Sequence, residues 1–144
     1  PAFLCIDIEA VGNWAERQNL AYSGYTDLSE RSEVYNLLQE CVETVNSDLA
    51  RDEKLSGSQI KRFLLLHKEL DADDGELTRT RKVRRRIIAE KYDVLIDALD
   101  DPKQTHCEIE SEMTFEDGRT GIVSADLQIR EAERHKTQLH TRAA

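Results

Sequence analysis

The period of the hydrophobic residues changes near residue 100, and this change limits what the chain can fold into. Upstream the spacing is helical. Val34, Leu37, Leu38, Cys41, Val42, Val45 and Leu49 form one stripe, and Ile87, Ile88, Tyr92, Leu95, Ile96 and Leu99 form a second. Downstream the period is two. Cys107, Ile109, Ser111, Met113 and Phe115 alternate with Glu108, Glu110, Glu112, Thr114 and Glu116, and alternation resumes at Val123, Ala125, Leu127 and Ile129. The two runs flank Asp117-Gly118 and read as a hairpin. Odd-numbered residues on both strands share a face only if the loop holds an odd number of residues. A three- or five-residue loop with Gly118 left-handed is therefore expected, in preference to a two-residue turn.

The remaining segments complete an α+β expectation. Ala2–Ile8 reads as a strand, and Glu9–Gln18 as a helix with Val11, Trp14 and Ala15 on one side. Trp14 is expected to pack in a core or interface. Ala21–Leu28 reads as a loop with half-buried Tyr22 and Tyr25, and Ser29–Arg51 as one helix capped by Asp27 or Ser29. Cys41 falls inside the stripe and is expected to be a small buried hydrophobe. After a break at Leu55–Ser58, Ile60–Lys68 reads as a strand, with His67 at its end and no metal role expected for it. The expected architecture is a small sheet of the 2–8 and 60–68 strands, flanked by about three helices, with a C-terminal hairpin. Asp100–Thr105 is the linker, with Pro102 closing the preceding helix, and the polar tail past Glu131 reads as a frayed helix.

Composition narrows the function classes. The 144 residues carry a net charge of −9, which argues against a nucleic-acid partner, since phosphate contacts need a basic face. No apolar run approaches a membrane span, and the start PAFLCIDIEA shows neither a charged leader region nor a cleavage site. Cys5, Cys41 and Cys107 are odd in number and widely spaced, fitting neither a disulfide framework nor a zinc pattern. A reducing cytosol is the expected compartment, with peripheral contact to a membrane left open.

Against this acidic background one stretch stands out. DADDGELTRTRKVRRRIIAEKYDVLIDAL, Asp71 to Leu99, opens with an acidic turn and passes two threonines into a basic cluster ahead of the second helical stripe. The turn lacks the ligand spacing and closing glutamate of an EF-hand loop and is expected to be solvated. Thr78 or Thr80 is placed to cap the helix. A basic run at a helix start is electrostatically awkward, because cations disfavour that end of the dipole.

GELTRTRKVRRRIIAEKY resembles the C-terminal lysine motif of the AMP-forming acyl-CoA synthetases of the long-chain fatty acid type. That motif typically reads GELTPT, one residue, Lys, a short basic stretch, a helix and a KY pair. Gly75, Glu76, Leu77, Thr78, Thr80, Lys82, Lys91 and Tyr92 match it. Arg79 stands where Pro is usual, a change expected to loosen the turn. Arg81 stands where the short-chain enzymes carry Gly, which points to the long-chain subgroup. The resemblance extends upstream through IKRFLLLHKEL and, more loosely, FLCIDIEAVGNWAE, so it covers roughly residues 1–100.

The resemblance implies that residues 1–100 are the mobile C-terminal lobe of a fatty acid–CoA ligase, with 101–130 an appended hairpin and 131–144 a polar tail. Lys82 would be the adenylation lysine on a mobile loop, with Thr80, Arg84 and Arg85 in substrate binding and no metal ligands. No Gly/Ser/Thr-rich phosphate cradle occurs in these residues. ATP and Mg2+ would therefore be held chiefly by an N-terminal adenylation domain, with CoA and a fatty acid as the other substrates, and this part alone would be inactive. The competing expectation is a stand-alone interaction module that uses Arg79–Arg86 to hold an anionic partner such as CoA, a protein or a nucleic acid.

Overall fold

Phe63, Leu64, Leu65 and Leu66 are each buried to within 1% of their surface, and the rest of the chain is layered on them. Residues along a strand alternate between faces, so a run buried on both sides demands cover on both. The structure is a computed structural model that describes residues 1–136. Its elements are β1 (Ala2–Leu4), α1 (Ile8–Arg17), α2 (Tyr25–Glu30), α3 (Ser32–Ala50), a 3-10 turn at Ser56–Ser58 and β2 (Arg62–Leu65). They continue with α4 (Arg85–Lys91), α5 (Asp93–Asp100), β3 (His106–Thr114), β4 (Thr120–Gln128) and β5 (Arg130–Glu131). The class is α+β as expected, with five helices among the described residues where about three were read.

β2 is the central strand, parallel to β1 and antiparallel to β5. Phe63 and Leu65 face a core built from Ile6, Val11, Ala15, Leu28, Val34, Tyr35 and Val42. Leu64 and Leu66 face a second core of Tyr92, Leu95, Ala98 and Leu99 with the hairpin residues Cys107, Ile109, Ala125, Leu127 and Ile129. The hairpin thus supplies half of one core, and β5 beyond it joins the sheet. Arg62 ties the layers together at one end. Its guanidinium donates to the carbonyls of Leu99 at 2.5 Å, Asp101 at 2.6 Å and Gln104, which satisfies acceptors left open where α5 ends.

The hairpin obeys the parity argument. Thr114 pairs with Thr120 around a five-residue loop, and the Phe115 N–H donates to the Arg119 carbonyl at 2.8 Å inside it. Gly118 has φ +81°, where a Cβ would be strained.

Several local expectations are corrected. The strands are shorter than 2–8 and 60–68. The helix read over Ser29–Arg51 divides at Arg31, which is extended with ψ 131°, and its first piece is α2, which begins inside the segment read as a loop. Across the break the Asp27 carboxylate accepts from the Ser23 N–H at 2.9 Å and pairs with Arg31 at 3.1 Å. Neither Asp27 nor Ser29 is the cap: Gly24 precedes α2, and the Ser29 hydroxyl donates to the Thr26 carbonyl.

Cys41 is exposed rather than buried. The inward face of α3 runs Val34, Tyr35, Leu38, Val42, Asn46 and Ala50, and leaves Val45 47% exposed. Two polar anchors rotate the helix. Asn46 donates to the carbonyls of Ile60 and Glu133 and accepts from the Ile60 N–H, at 2.7–2.9 Å. The Tyr35 hydroxyl donates to the Gln128 carbonyl and accepts from the Leu65 N–H. Backbone groups this deep need partners, and meeting that need turns Cys41 outward. Past Glu131, residues 132–136 have no regular structure, and the rest of the tail read as helix lies outside the described residues. No described helix is long and apolar enough to cross a membrane.

Candidate functional site

The site begins where β2 ends. His67 and Lys68 follow Leu66 into the interior, and Lys68 is 1% exposed. A lysine this deep needs anionic partners, and it has two: Asp74 Oδ2 at 2.7 Å and Glu76 Oε2 at 2.9 Å. The acidic turn is therefore not simply solvated. Ala72 and Asp73 face water, but the Asp74 side chain is 6% exposed, and its other oxygen accepts from the Thr114 N–H of the hairpin at 3.3 Å. Gly75 takes φ +75° to bring the chain inward.

Glu76 is fully buried and is the hub of the site. Its Oε1 accepts from the Tyr92 hydroxyl at 2.5 Å and from Lys91 Nζ at 2.8 Å. Its Oε2 accepts from Lys68 Nζ and from the Asp71 N–H, both at 2.9 Å. Burial pushes the carboxyl up, but these donors outweigh it and hold Glu76 below the usual carboxylate range. Asp74 follows the same pattern with Lys68 and Thr114, and Lys68 is held above its ordinary value by its two carboxylates despite burial. The cluster is ionised, with two cations balancing two anions.

Residues 77–83 form a small hairpin above this hub. Leu77 bridges Val83, the Thr78 N–H donates to the Lys82 carbonyl at 2.9 Å, and the Arg81 N–H donates to the Thr78 carbonyl at 2.9 Å. Arg81 has φ +61°, a left-handed position that costs a non-glycine residue about 1–2 kcal/mol. It is also the position at which the short-chain motif carries Gly. The threonines do not cap α4, which starts behind Arg84 without a side-chain cap. The Thr78 hydroxyl instead accepts from the Lys82 N–H at 3.1 Å and sits 3.1 Å from that of Thr80. Lys82 therefore stands on an internally bonded hairpin rather than on a loose loop.

Thr80, Lys82, Arg84 and Arg85 are all exposed, as are Arg79, Arg81 and Arg86. Among the described residues the Lys82 ammonium has no carboxylate partner, whereas Arg86 pairs with Glu90 at 3.0 Å. Arg85 also lines a groove of about 460 Å3 with Phe3, Val83, Ile88, Ile96 and Leu99. Sequence reasoning missed Lys68 and Asp74 altogether, and it matched Glu76, Lys91 and Tyr92 without assigning them work. Their signal was present as acids six and eight residues beyond a lysine that ends an apolar run. Among the described residues no cluster of His, Cys, Asp or Glu could hold a metal.

His67 lies beside the hub, fully buried, with Nε2 2.6 Å from the Ser111 hydroxyl and its ring edge-on to Tyr92. Burial, reinforced by Lys68, lowers its pKa from 6.5 to about 4. The unfolded chain then binds a proton that the folded chain refuses. Stability should be full above pH 6.5 and fall as pH drops toward about 4, by at most about 3 kcal/mol. Asp74 and Glu76, held low, add a second loss at more acid pH. Urea unfolding across this range should show the first step, and His67→Gln should flatten it. A wild-type curve with no slope there would contradict a neutral buried imidazole.

No family model matches the chain, and no solved structure matches it. It is 30% identical over 99 residues, 68% of its length, to the long-chain-fatty-acid–CoA ligase FadD15 of Mycobacterium tuberculosis, and equally to that of Mycobacterium bovis. The match takes in 16% of each ligase, so the chain spans a minor part of the length of the curated relatives it matches. A region of this chain is thus related, at a distance, to the acyl-CoA synthetases.

Proposed function

We propose that this chain is the C-terminal lobe of a long-chain fatty acid–CoA ligase and that Lys82 serves its adenylation half-reaction. One observation carries the reading: on an internally bonded hairpin stands an exposed ammonium with no carboxylate partner among the described residues, while Lys68 and Lys91 are both bound to carboxylates. In the first half-reaction a fatty carboxylate oxygen attacks the α-phosphorus of ATP, an acyl–phosphate bond forms, and pyrophosphate leaves with the electron pair. In the second, the CoA sulfur forms a bond to the acyl carbon and AMP departs. Carboxylate and phosphate repel as they approach. An ammonium bridging their oxygens lowers that cost, and lysine suits the task as a compact charge on a long stem. In this reading the exposed Thr80 hydroxyl and the Arg84 and Arg85 guanidiniums would meet phosphate oxygens.

Because the hairpin is bonded within itself, Lys82 would enter and leave by motion of the lobe rather than by flexing of the loop. ATP, with the Mg2+ that accompanies it, is assigned to the N-terminal adenylation domain. The buried carboxylates of the lobe's hub, Asp74 and Glu76, are already neutralised by lysines and do not fit a resident metal. In the native protein Lys82→Ala should reduce acyl-adenylate formation by about 10²–10³-fold and spare thioester formation from supplied acyl-adenylate. Equal loss of both half-reactions would defeat the assignment.

A further inference from the structure

The reactive hairpin is gripped at both ends by one residue. Its incoming strand starts at Glu76, and its outgoing strand returns to it, because the Arg84 N–H donates to the Glu76 carbonyl at 2.9 Å. The Glu76 side chain, pointing the other way, is held by donors from three directions: Lys68 behind β2, the Asp71 N–H in the turn, and Lys91 with Tyr92 at the end of α4. α4 itself begins right after the hairpin. From Glu76 the chain runs through the hairpin, along α4, and back onto Glu76 at Tyr92, sixteen residues on. Such a closed circuit sets where the Lys82 backbone sits, because the hairpin cannot tilt without breaking the bond to the Glu76 carbonyl, nor the helix without breaking a bond to the buried carboxylate.

We infer that Glu76 is the positioning residue for Lys82, with Lys91 and Tyr92 acting through it. This rests on the reading of Lys82 as the adenylation lysine. It explains why residues so far from Lys82 belong to the same motif: they close the circuit that aims it. A purely architectural role for the cluster would cost stability and nothing else. A positioning role makes a sharper demand, since near-attack geometry is lost with displacements of about 1 Å.

The test uses the native protein with Tyr92→Phe, which removes one hydroxyl, and Lys91→Met, which removes a partly solvated cation. Both are assayed well below their melting temperatures. Expected are faster amide hydrogen exchange across residues 77–84 and a fall of about ten- to hundredfold in kcat for acyl-adenylate formation. KM for ATP and the thioester half-reaction should stay unchanged. Wild-type exchange across 77–84, or an equal fall in both half-reactions, overturns the proposal. Lys82→Ala is run alongside. If it lowers adenylation while Tyr92→Phe and Lys91→Met leave it at the wild-type rate, positioning alone is refuted. If Lys82→Ala leaves adenylation intact, the reading of Lys82 falls and the positioning role with it.

Discussion

Glu76→Ala is expected to destabilise the chain by about 3–5 kcal/mol, the usual cost of breaking a buried ion pair by removing one partner. The loss has identifiable parts. The Tyr92 hydroxyl and the Asp71 N–H each lose their acceptor, and Lys68, 1% exposed, keeps only Asp74. Lys91 is different. Its side chain is 24% exposed and can turn to water, so Lys91→Ala should cost only about 1 kcal/mol. Urea denaturation of the two variants measures the difference. Similar losses for both would mean that the carboxylate is not the hub of the cluster. Adding Lys68→Met to Glu76→Ala should deepen the loss, because Asp74 is then left buried without its cation.

A second large effect is expected in the hairpin. Leu127 is fully buried and packs with Leu64, Leu66 and Leu95, so Leu127→Ala should cost about 2–5 kcal/mol. Ile122 lies on the same strand with opposite parity and is 75% exposed, so Ile122→Ala should stay within about 0.5 kcal/mol. The informative probe is Trp14, which packs on the other side of the sheet. If the hairpin and the helical layer fold as one cooperative unit, Leu127→Ala shifts the unfolding transition seen by Trp14 fluorescence. An unchanged Trp14 transition would mean that the hairpin folds apart from the helical layer.

The residues that were legible in advance are those governed by local rules. The alternation from Cys107 to Ile129 defined the hairpin face, and its parity required the odd loop that Gly118 turns. The apolar run within Ile60–Lys68 announced the strand at its centre. The match from Gly75 to Tyr92 drew attention to the basic stretch, which was read as a loop and folds as a small hairpin. Where the sequence misled, a distant polar partner had outvoted a local preference. The stripe on α3 placed Cys41 inside, but Asn46 and Tyr35 had to meet the backbone of Ile60, Leu65 and Gln128, and the helix turned to suit them. The second stripe promised one helix, yet Tyr92 leaves helical geometry, at φ −115°, with its hydroxyl on Glu76.

The sequence by itself determined the α+β class, the hairpin and its face, and the lysine-bearing stretch, because hydrophobic period and turn chemistry act between residues close in the chain. Only the tertiary structure decided which groups stand buried together. Lys68, Asp74, Glu76, Lys91 and Tyr92 are separated by up to 24 residues and follow no shared period. Their union depends on the low-dielectric interior in which each charge must find an opposite one. That interior exists only once β2, α5 and the hairpin have closed over it.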